Sequence, residues 1–168
     1  DRLLPTIRSR CRRLDLKPLT TPQVTILLNR YRPSLKPAEV ASLSLLADGS
    51  IGRALELDEE GGVELFGDLM ELLGDLPRLN ISRLHALIEK AMRGDAFRTL
   101  TGLLGWWLAR MVSLGARDGL AKAAEAAPGE RDLAQRLLSV SPPPAWAEAW
   151  AQIGHLAGRR SEEHTSEL

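Results

Sequence analysis

The spacing of apolar residues changes near residue 20, where a strand pattern gives way to helical patterns. Over residues 12–16 polar and apolar residues alternate, with Leu14 and Leu16 on the same side, which is typical of a short strand that ends at Pro18. A single strand cannot satisfy its own backbone N–H and C=O groups. We therefore expect the sheet to which this strand belongs to lie in sequence that the chain does not contain.

Residues 18–60 show three short helical patterns, each with apolar residues three or four positions apart. Prolines, a glycine and hydroxyl residues mark their ends, because such residues start or stop helices. In chain order these are Thr21 as the first N-cap, Pro22, Pro33, Pro37, Gly49, and Ser50 as the N-cap of a helix that runs to about Leu57. The pattern predicts one small three-helix bundle.

Residues 63–159 carry longer helical patterns, whose wide apolar stripes indicate a second bundle. Asp95 is the predicted cap of the longest helix, and the prolines at 142–144 are expected to form a rigid break before the last one. The stripes include three tryptophans that we expect to be mostly buried between helices: Trp107, Trp146 and Trp150. Together the patterns predict an all-α fold of two helical modules.

The composition fits a chain of 168 residues that buries one ordinary core or two small ones, since 44% of its residues are hydrophobic. Basic and acidic residues both number 22, so the net charge is zero and a uniformly basic nucleic-acid binder is excluded. The single cysteine, Cys11, excludes an internal disulfide and fits a reducing compartment. No apolar run predicts a membrane span or a signal peptide, and because the first residue is Asp1 we expect the chain to begin within a longer protein.

Charge is distributed unevenly along the chain. Basic residues crowd the first 17 positions, and residues 56–64 hold five carboxylates beside Gly61 and Gly62. We interpret the acidic stretch as a solvated linker between the two modules.

No constellation of catalytic residues stands out. His85 and His155 lie in predicted helices without a cysteine or carboxylate at metal-ligand spacing, so we expect structural or surface roles and no metal site. The chain has neither a GxxxxGK(S/T) phosphate loop nor an acidic magnesium site after an apolar strand, so it should not hydrolyse ATP by itself. The tryptophans could stack on bases, but few basic residues interleave with them, which favours a core role.

Two short segments are more specific. Residues 3–11 read LLPTIRSRC and come directly before the strand, and residues 49–55 read GSIGRAL after the second short helix. In this order and at this separation they resemble the clamp-loader subunits of bacterial DNA polymerase III, which belong to the AAA+ class of ATPases. The resemblance implies that residues 1–17 end a nucleotide-binding domain, residues 18–60 form a three-helix lid, and residues 63–159 form a helical collar through which five subunits make a ring.

The resemblance assigns a role to Arg10, the arginine of the triplet Ser9, Arg10, Cys11. In this family that residue is a finger, which reaches the γ-phosphate bound by the neighbouring subunit. A guanidinium suits this role because it makes forked hydrogen bonds to phosphate oxygens and stabilises charge that develops in the transition state. The competing interpretation is that Arg10 belongs to a merely solvated basic stretch.

The second segment indicates which kind of subunit the chain resembles. The ATP-hydrolysing subunits place an arginine that senses their own nucleotide directly after Gly-Ser-x, and here that position is Gly52. The adjacent Arg53 points about 100° further round the helix, and is at most part of a degenerate cofactor-sensing region. The resemblance is therefore closer to the delta-prime type, a stator that is not itself an enzyme and donates its finger.

On this interpretation the chain binds no cofactor, and ATP with Mg²⁺ occupies the neighbouring subunit. The implied partners are the gamma/tau motor subunits and the delta subunit and, through the assembly, the sliding clamp and primed DNA, in the cytoplasm and not at a membrane. Two alternatives stay open: an ATP-hydrolysing motor subunit of the same loader, and a free-standing helical adaptor unrelated to replication.

The last nine residues, 160–168, do not continue the apolar stripe, which stops at Leu156. They resemble the translation of a sequencing-library adapter, so we interpret them as an artefact outside the functional chain. The alternative is an ordinary disordered tail.

Overall fold

The computed structural model describes Arg10, residues 16–117 and residues 119–165, with the side chains of the last helix described through Gly154. These residues form a short 3-10 helix, Leu120–Lys122, and eight α-helices: α1 (Thr21–Tyr31), α2 (Pro37–Leu46), α3 (Ile51–Glu59), α4 (Gly62–Gly74), α5 (Ile81–Ala91), α6 (Ala96–Gly115), α7 (Glu130–Val140) and α8 (Pro143–Thr165).

The predicted all-α class is confirmed for this part of the chain, which contains no strand. The strand predicted at residues 12–16 lies outside the described residues except at Leu16, which belongs to no helix. None of the described helices is both long and apolar enough to cross a membrane.

The first three helices begin close to the residues that the sequence marks. The N-cap of α1 is Thr20 and not Thr21, so Pro22 lies in the first turn of the helix. Proline is tolerated there because the backbone N–H groups of the first turn have no acceptor within the helix. Helix α2 begins at Pro37 and α3 follows the cap Ser50, as predicted. Helix ends of this kind depend on local backbone chemistry, which explains why a sequence pattern locates them within a residue or two.

Buried side chains from α1 to α7 form one continuous apolar cluster. Phe66 of α4 and Trp107 of α6 are its largest members, with 0% and 1% of their surface exposed. Each such ring removes roughly 150–250 Å² from water, a gross gain of about 4–6 kcal/mol. Helix α8 lies along α6 and adds the partly buried Trp146 and Ile153. The buried residues of both predicted modules therefore belong to one core.

The acidic stretch at residues 56–64 is not the linker that we predicted. Helix α3 continues to Glu59 and α4 begins at Gly62, so only Glu60 and Gly61 lie between the two helices. The corner is tight because Gly62 touches the preceding helix: a Cβ there would lie 2.7 Å from Leu57 Cδ2 and 3.0 Å from the Leu57 carbonyl oxygen. The glycines thus permit close packing of two helices and do not mark a flexible connection.

Carboxylates of the same stretch bind cations from other helices. Arg32, which follows α1, donates from Nε to Asp58 Oδ2 at 2.9 Å and from a terminal nitrogen to Glu59. Lys90 of α5 donates from Nζ to Glu64 Oε1 at 2.7 Å, and this hydrogen bond lowers the pKa of Glu64 below its ordinary value. Because each pair stays in partial contact with water, it contributes at most about 1 kcal/mol. Their main effect is to orient α1 and α5 on the acidic segment.

The proline run at residues 142–144 is a shorter break than predicted, because Pro143 and Pro144 form the first turn of α8. Proline is tolerated there, since the N–H groups of a first turn have no partner within the helix. The backbone of α8 stays helical through Thr165 and so includes most of residues 160–168. A helical backbone does not bear on the origin of these residues, and their interpretation as an artefact stays a prediction.

Candidate functional site

Arg10, the residue predicted to act on a neighbouring subunit, lies in a turn and is exposed to solvent. Ser9 and Cys11, which complete the triplet, lie outside the described residues. The chain is described again from Leu16, which is 85% exposed. An exposed guanidinium is open to a partner, which the predicted role requires.

The residues directly before α1 are attached to the helical bundle at Leu19. The Leu19 N–H donates to the Gly49 carbonyl oxygen at 2.9 Å, and the Leu19 side chain packs, partly buried, against the core. One residue further on, Thr20 donates its backbone N–H and its hydroxyl to Gln23 Oε1, at 2.9 and 3.0 Å. The second of the two specific segments, residues 49–55, therefore contacts the chain that follows the first.

Residues 49–55 form part of the turn between α2 and α3 and the first turn of α3. Ser50 Oγ accepts the Arg53 N–H at 3.3 Å, which makes Ser50 the N-cap. The Arg53 side chain is partly buried. Gly52 is exposed, and a Cβ added there would find Ser50 Oγ as its nearest neighbour, at 3.8 Å. A larger side chain would fit, so packing does not explain why an arginine is absent at this position.

The three tryptophans that we expected to be buried differ in exposure. Trp107 is 1% exposed, as predicted, and Trp146 is partly buried, with its Nε1–H donated to the Ser141 carbonyl oxygen at 3.1 Å. Trp150 is 48% exposed, so the prediction was wrong for this ring. Its Nε1 lies 3.6 Å from the position of a Cβ at Gly105 of α6. Helix α8 packs mainly on α6, so a large ring at its rim is covered on one side and open on the other.

A buried polar cluster that the sequence did not predict lies where α6, α7 and their connecting loop meet. Glu130, the first residue of α7, is 5% exposed, and its Oε2 accepts the Ala126 N–H at 2.6 Å. Its Oε1 lies 3.6 Å from Arg110 Nε. Burial raises the pKa of Glu130 above its ordinary value, and the hydrogen bond from Ala126 and the charge of Arg110 offset only part of that effect.

Two arginines hold the backbone of the same loop. Arg110 donates to the Ala124 carbonyl oxygen at 2.7 Å, and its guanidinium carbon lies 5.4 Å from the centre of the Trp106 ring. Arg131 of α7 donates to the Ala123 carbonyl oxygen at 3.1 Å. The loop is rich in alanine and offers few side chains that could anchor it. The one residue in the sequence that indicates this buried polar cluster is Arg110, because a charged residue within an apolar stripe costs free energy unless it is paired or hydrogen-bonded.

The histidines and carboxylates of the described residues do not form a metal centre. His85 is exposed, as expected for a surface role, whereas the side chain of His155 lies outside the described side chains. No group of three or more His, Cys, Asp or Glu residues in the described part of the chain could hold a metal ion. Two of the clustered carboxylates, Glu64 and Asp68, both accept hydrogen bonds from Lys90.

No protein-family model, curated protein or solved structure matches the chain. A function can therefore be proposed only from the residues themselves and from the contacts described above.

Proposed function

We propose that the chain is the lid and collar part of a delta-prime-type subunit of the bacterial DNA polymerase III clamp loader. In this role it is a stator, which hydrolyses no ATP and donates Arg10 to the ATP site of the neighbouring motor subunit. The observation that carries the proposal is Arg10 itself: an exposed arginine in a triplet that resembles the finger motif of this family.

The position of the guanidinium matters for the proposed chemistry. Phosphoryl transfer is catalysed mainly by groups that are already in position to stabilise charge on the phosphate oxygens, and an arginine finger contributes roughly 10³–10⁵ in rate in GTPases. An arginine on a freely moving chain would lose part of this advantage to the entropy of ordering it. Nine positions after Arg10, the hydrogen bond from Leu19 to Gly49 attaches the chain to the helical bundle.

Gly52 favours the stator over the motor subunit. The position offers room for an arginine, yet it carries none, and the neighbouring Arg53 is partly buried in the first turn of α3. A motor subunit would need the missing arginine to sense its own ATP. The proposed subunit has no such need, since its ATP and Mg²⁺ lie in the neighbour.

The proposal implies a set of partners. The motor and delta subunits would contact the chain directly, and the sliding clamp and primed DNA would be reached through the assembled ring, in the cytoplasm at the replication machinery.

Substitution of Arg10 tests the proposal in a loader reconstituted with the full-length subunit. We expect Arg10→Ala to leave ring assembly intact and to slow clamp loading on primed DNA by at least about tenfold. Arg10→Lys should rescue poorly, because an ammonium cannot make the forked contact. Arg53→Ala should have a milder effect, since that residue is off the sensing position.

Alanine substitutions of Arg8, Arg12 and Arg13 are the matched controls, because they share the basic segment but not the position in the triplet. They should change the loading rate little. Equal and salt-sensitive losses for all four arginines would mean that the segment is a diffuse DNA-attracting patch, and the finger assignment would be wrong.

The isolated chain should neither bind nor hydrolyse ATP, because it lacks a phosphate loop. Titration calorimetry with ATP and Mg²⁺ measures this directly. Tight binding to the purified chain would contradict the assignment of the ATP site to the neighbour.

A further inference from the structure

Helix α4 carries a row of carboxylates along one face, and α5 places two cations opposite that row. The carboxylates recur every three or four residues, so they share one face of the helix and its C-terminal end: Glu64, Asp68, Glu71 and the C-cap residue Asp75. Arg83 and Lys90 of α5 stand seven positions apart, which is about two helical turns. The two helices therefore face each other with rows of opposite charge.

Lys90 bridges the two carboxylates nearest the start of α4. Its Nζ lies 2.7 Å from Glu64 Oε1 and 2.6 Å from Asp68 Oδ2. Hydrogen bonds to Asp68 and Glu64 raise the pKa of Lys90 above its ordinary value. The ammonium thus binds two partners on a helix other than its own.

Arg83 bridges the two carboxylates at the end of α4. One terminal nitrogen lies 3.2 Å from Asp75 Oδ2 and 3.8 Å from Glu71 Oε2, and it donates to the Glu71 carbonyl oxygen at 3.5 Å. We call the contacts of Arg83 and Lys90 with these four carboxylates the charge ladder. Every side chain of the ladder keeps at least 32% of its surface exposed, so water and salt reach each contact.

Apolar packing attaches α5 to the bundle at few positions. Within this helix only Leu87 and Ala91 are buried, whereas α4 buries six of its 13 residues. Three large apolar side chains in α5 or directly after it remain exposed: Ile81, Ile88 and Met92. A helix of 11 residues is marginally stable on its own, so α5 should unfold when it leaves its neighbours α4 and α6.

We propose that α5 is a releasable strap, a helix that leaves the bundle by local unfolding while the rest of the core stays folded, and that the charge ladder controls how often it does so. Because the buried apolar contacts of α5 are few, a substantial part of its attachment is electrostatic. Ion pairs between exposed groups each shift an equilibrium by roughly 1.5- to 5-fold, and salt weakens them. The ionic strength of the surroundings therefore sets the open fraction of α5. This inference concerns the fold and does not depend on the role proposed for Arg10.

The competing explanation is that the ladder is incidental and that Leu87 and Ala91 alone keep α5 in place. Many ion pairs on protein surfaces contribute nothing measurable to stability. On that explanation, salt and the charge of residues 83 and 90 have no specific effect on α5.

Amide hydrogen exchange of the 168-residue chain, followed by NMR at about pH 7, tests the strap. We expect the protection factors of the Leu87 and Ala91 amides to be at least about tenfold lower than those of Leu103 and Trp107 in α6, and to depend little on urea. Between about 0.05 M and about 1 M NaCl, exchange in α5 should accelerate at least about threefold relative to α6. Equal protection of both helices at every urea concentration would mean that α5 does not open locally. Equal effects of salt on both helices would mean that the ladder does not control the opening.

Substitution of the two cations separates their charge from the packing of their side chains, because methionine is a long side chain of similar helix propensity. We expect Lys90→Met to accelerate exchange at Leu87 and Ala91 by about two- to fivefold. Arg83→Met combined with Lys90→Met should accelerate it by about tenfold or more and remove most of the salt dependence. Arg78→Met is the matched control, because Arg78 is exposed and precedes α5 without taking part in the ladder. It should leave exchange in α5 unchanged.

Charge reversal tests the ladder through the sign of the salt effect. Lys90→Glu places a third carboxylate beside Glu64 and Asp68, so repulsion replaces attraction at this end of the ladder. Exchange in α5 should accelerate by about tenfold or more at low salt, and added salt should then accelerate it less than in the wild type or slow it, because salt screens the repulsion. If salt accelerates exchange in Lys90→Glu as strongly as in the wild type, the ladder does not control α5 and the proposal is overturned.

Discussion

Replacement of Glu130 by glutamine should change the stability of the chain in a way that depends on pH. The substitution preserves the shape of the side chain and an oxygen that can accept the Ala126 N–H, and it removes the charge. Two effects compete in the native protein: burial of the carboxylate, which is 5% exposed, and its attraction to Arg110 Nε at 3.6 Å. Arg110 keeps 23% of its side-chain surface in contact with water, which screens the attraction. Burial is therefore the larger effect, and the pKa of Glu130 lies above its ordinary value of 4.5.

The sign of the pH effect follows from that shift. A carboxyl group with a raised pKa in the folded state favours folding when it is protonated, so its contribution is fully present below the unfolded pKa and is lost as the pH rises through the folded pKa. At about pH 7 we expect Glu130→Gln to change the free energy of unfolding by no more than about 1 kcal/mol, because loss of the ion pair offsets relief from burying a charge. Towards about pH 4 the wild type should gain stability relative to the variant, by about 1.4 kcal/mol for each unit of the shift.

Urea unfolding of both chains at several pH values measures this difference. Glu130→Ala should cost about 1–3 kcal/mol, because the buried Ala126 N–H loses its acceptor. Glu125→Gln is the control, since Glu125 lies in the same loop but is more exposed, and its replacement should change stability by less than about 1 kcal/mol. If the wild type instead loses stability relative to Glu130→Gln on acidification, the ion pair with Arg110 outweighs burial and the reasoning is refuted.

Three further changes test the packing. Trp107→Ala should cost about 3–5 kcal/mol in urea unfolding, whereas Trp150→Ala should cost less than half as much because 48% of that ring is already exposed; equal costs would contradict the exposure difference. Gly52→Arg should raise the free energy of unfolding by about 0.5 kcal/mol, because the higher helix propensity of arginine outweighs the small penalty of a cation in the first turn of a helix. A fall in Tm would mean that the fold has no space for a larger side chain at this position. Lys90→Met should lower the free energy of unfolding by less than about 1 kcal/mol, and this loss should shrink with added salt, which screens the ion pairs of Lys90 in the native protein. A loss that does not depend on salt would mean that Lys90 stabilises the fold by packing and not by its charge.

The sequence by itself determined the helices of the described chain and most of their ends. Apolar spacing of three or four residues predicted α1 to α3 and the longer helices over residues 63–159, and Pro37, Ser50 and Asp95 stand where α2, α3 and α6 begin. Such signals are readable because helix formation and capping join residues within about four positions of each other. The error at the start of α1, Thr20 in place of Thr21, is of one residue, because two adjacent hydroxyl residues offer the same chemistry. The triplet around Arg10 is likewise a property of the sequence alone.

Tertiary structure decided everything that joins residues distant along the chain. Sequence patterns show that Gly49 can end a helix, but only the fold brings it against Pro18 and Leu19, thirty positions away. The fold also divided the predicted acidic linker between α3 and α4, with Arg32 bound to the α3 part. It placed Trp150 at an edge that α6 covers on one side. These outcomes differ from the predictions for one physical reason. Amphipathic spacing states which face of a helix is apolar, whereas the depth of burial and the identity of a partner depend on which other elements reach that face.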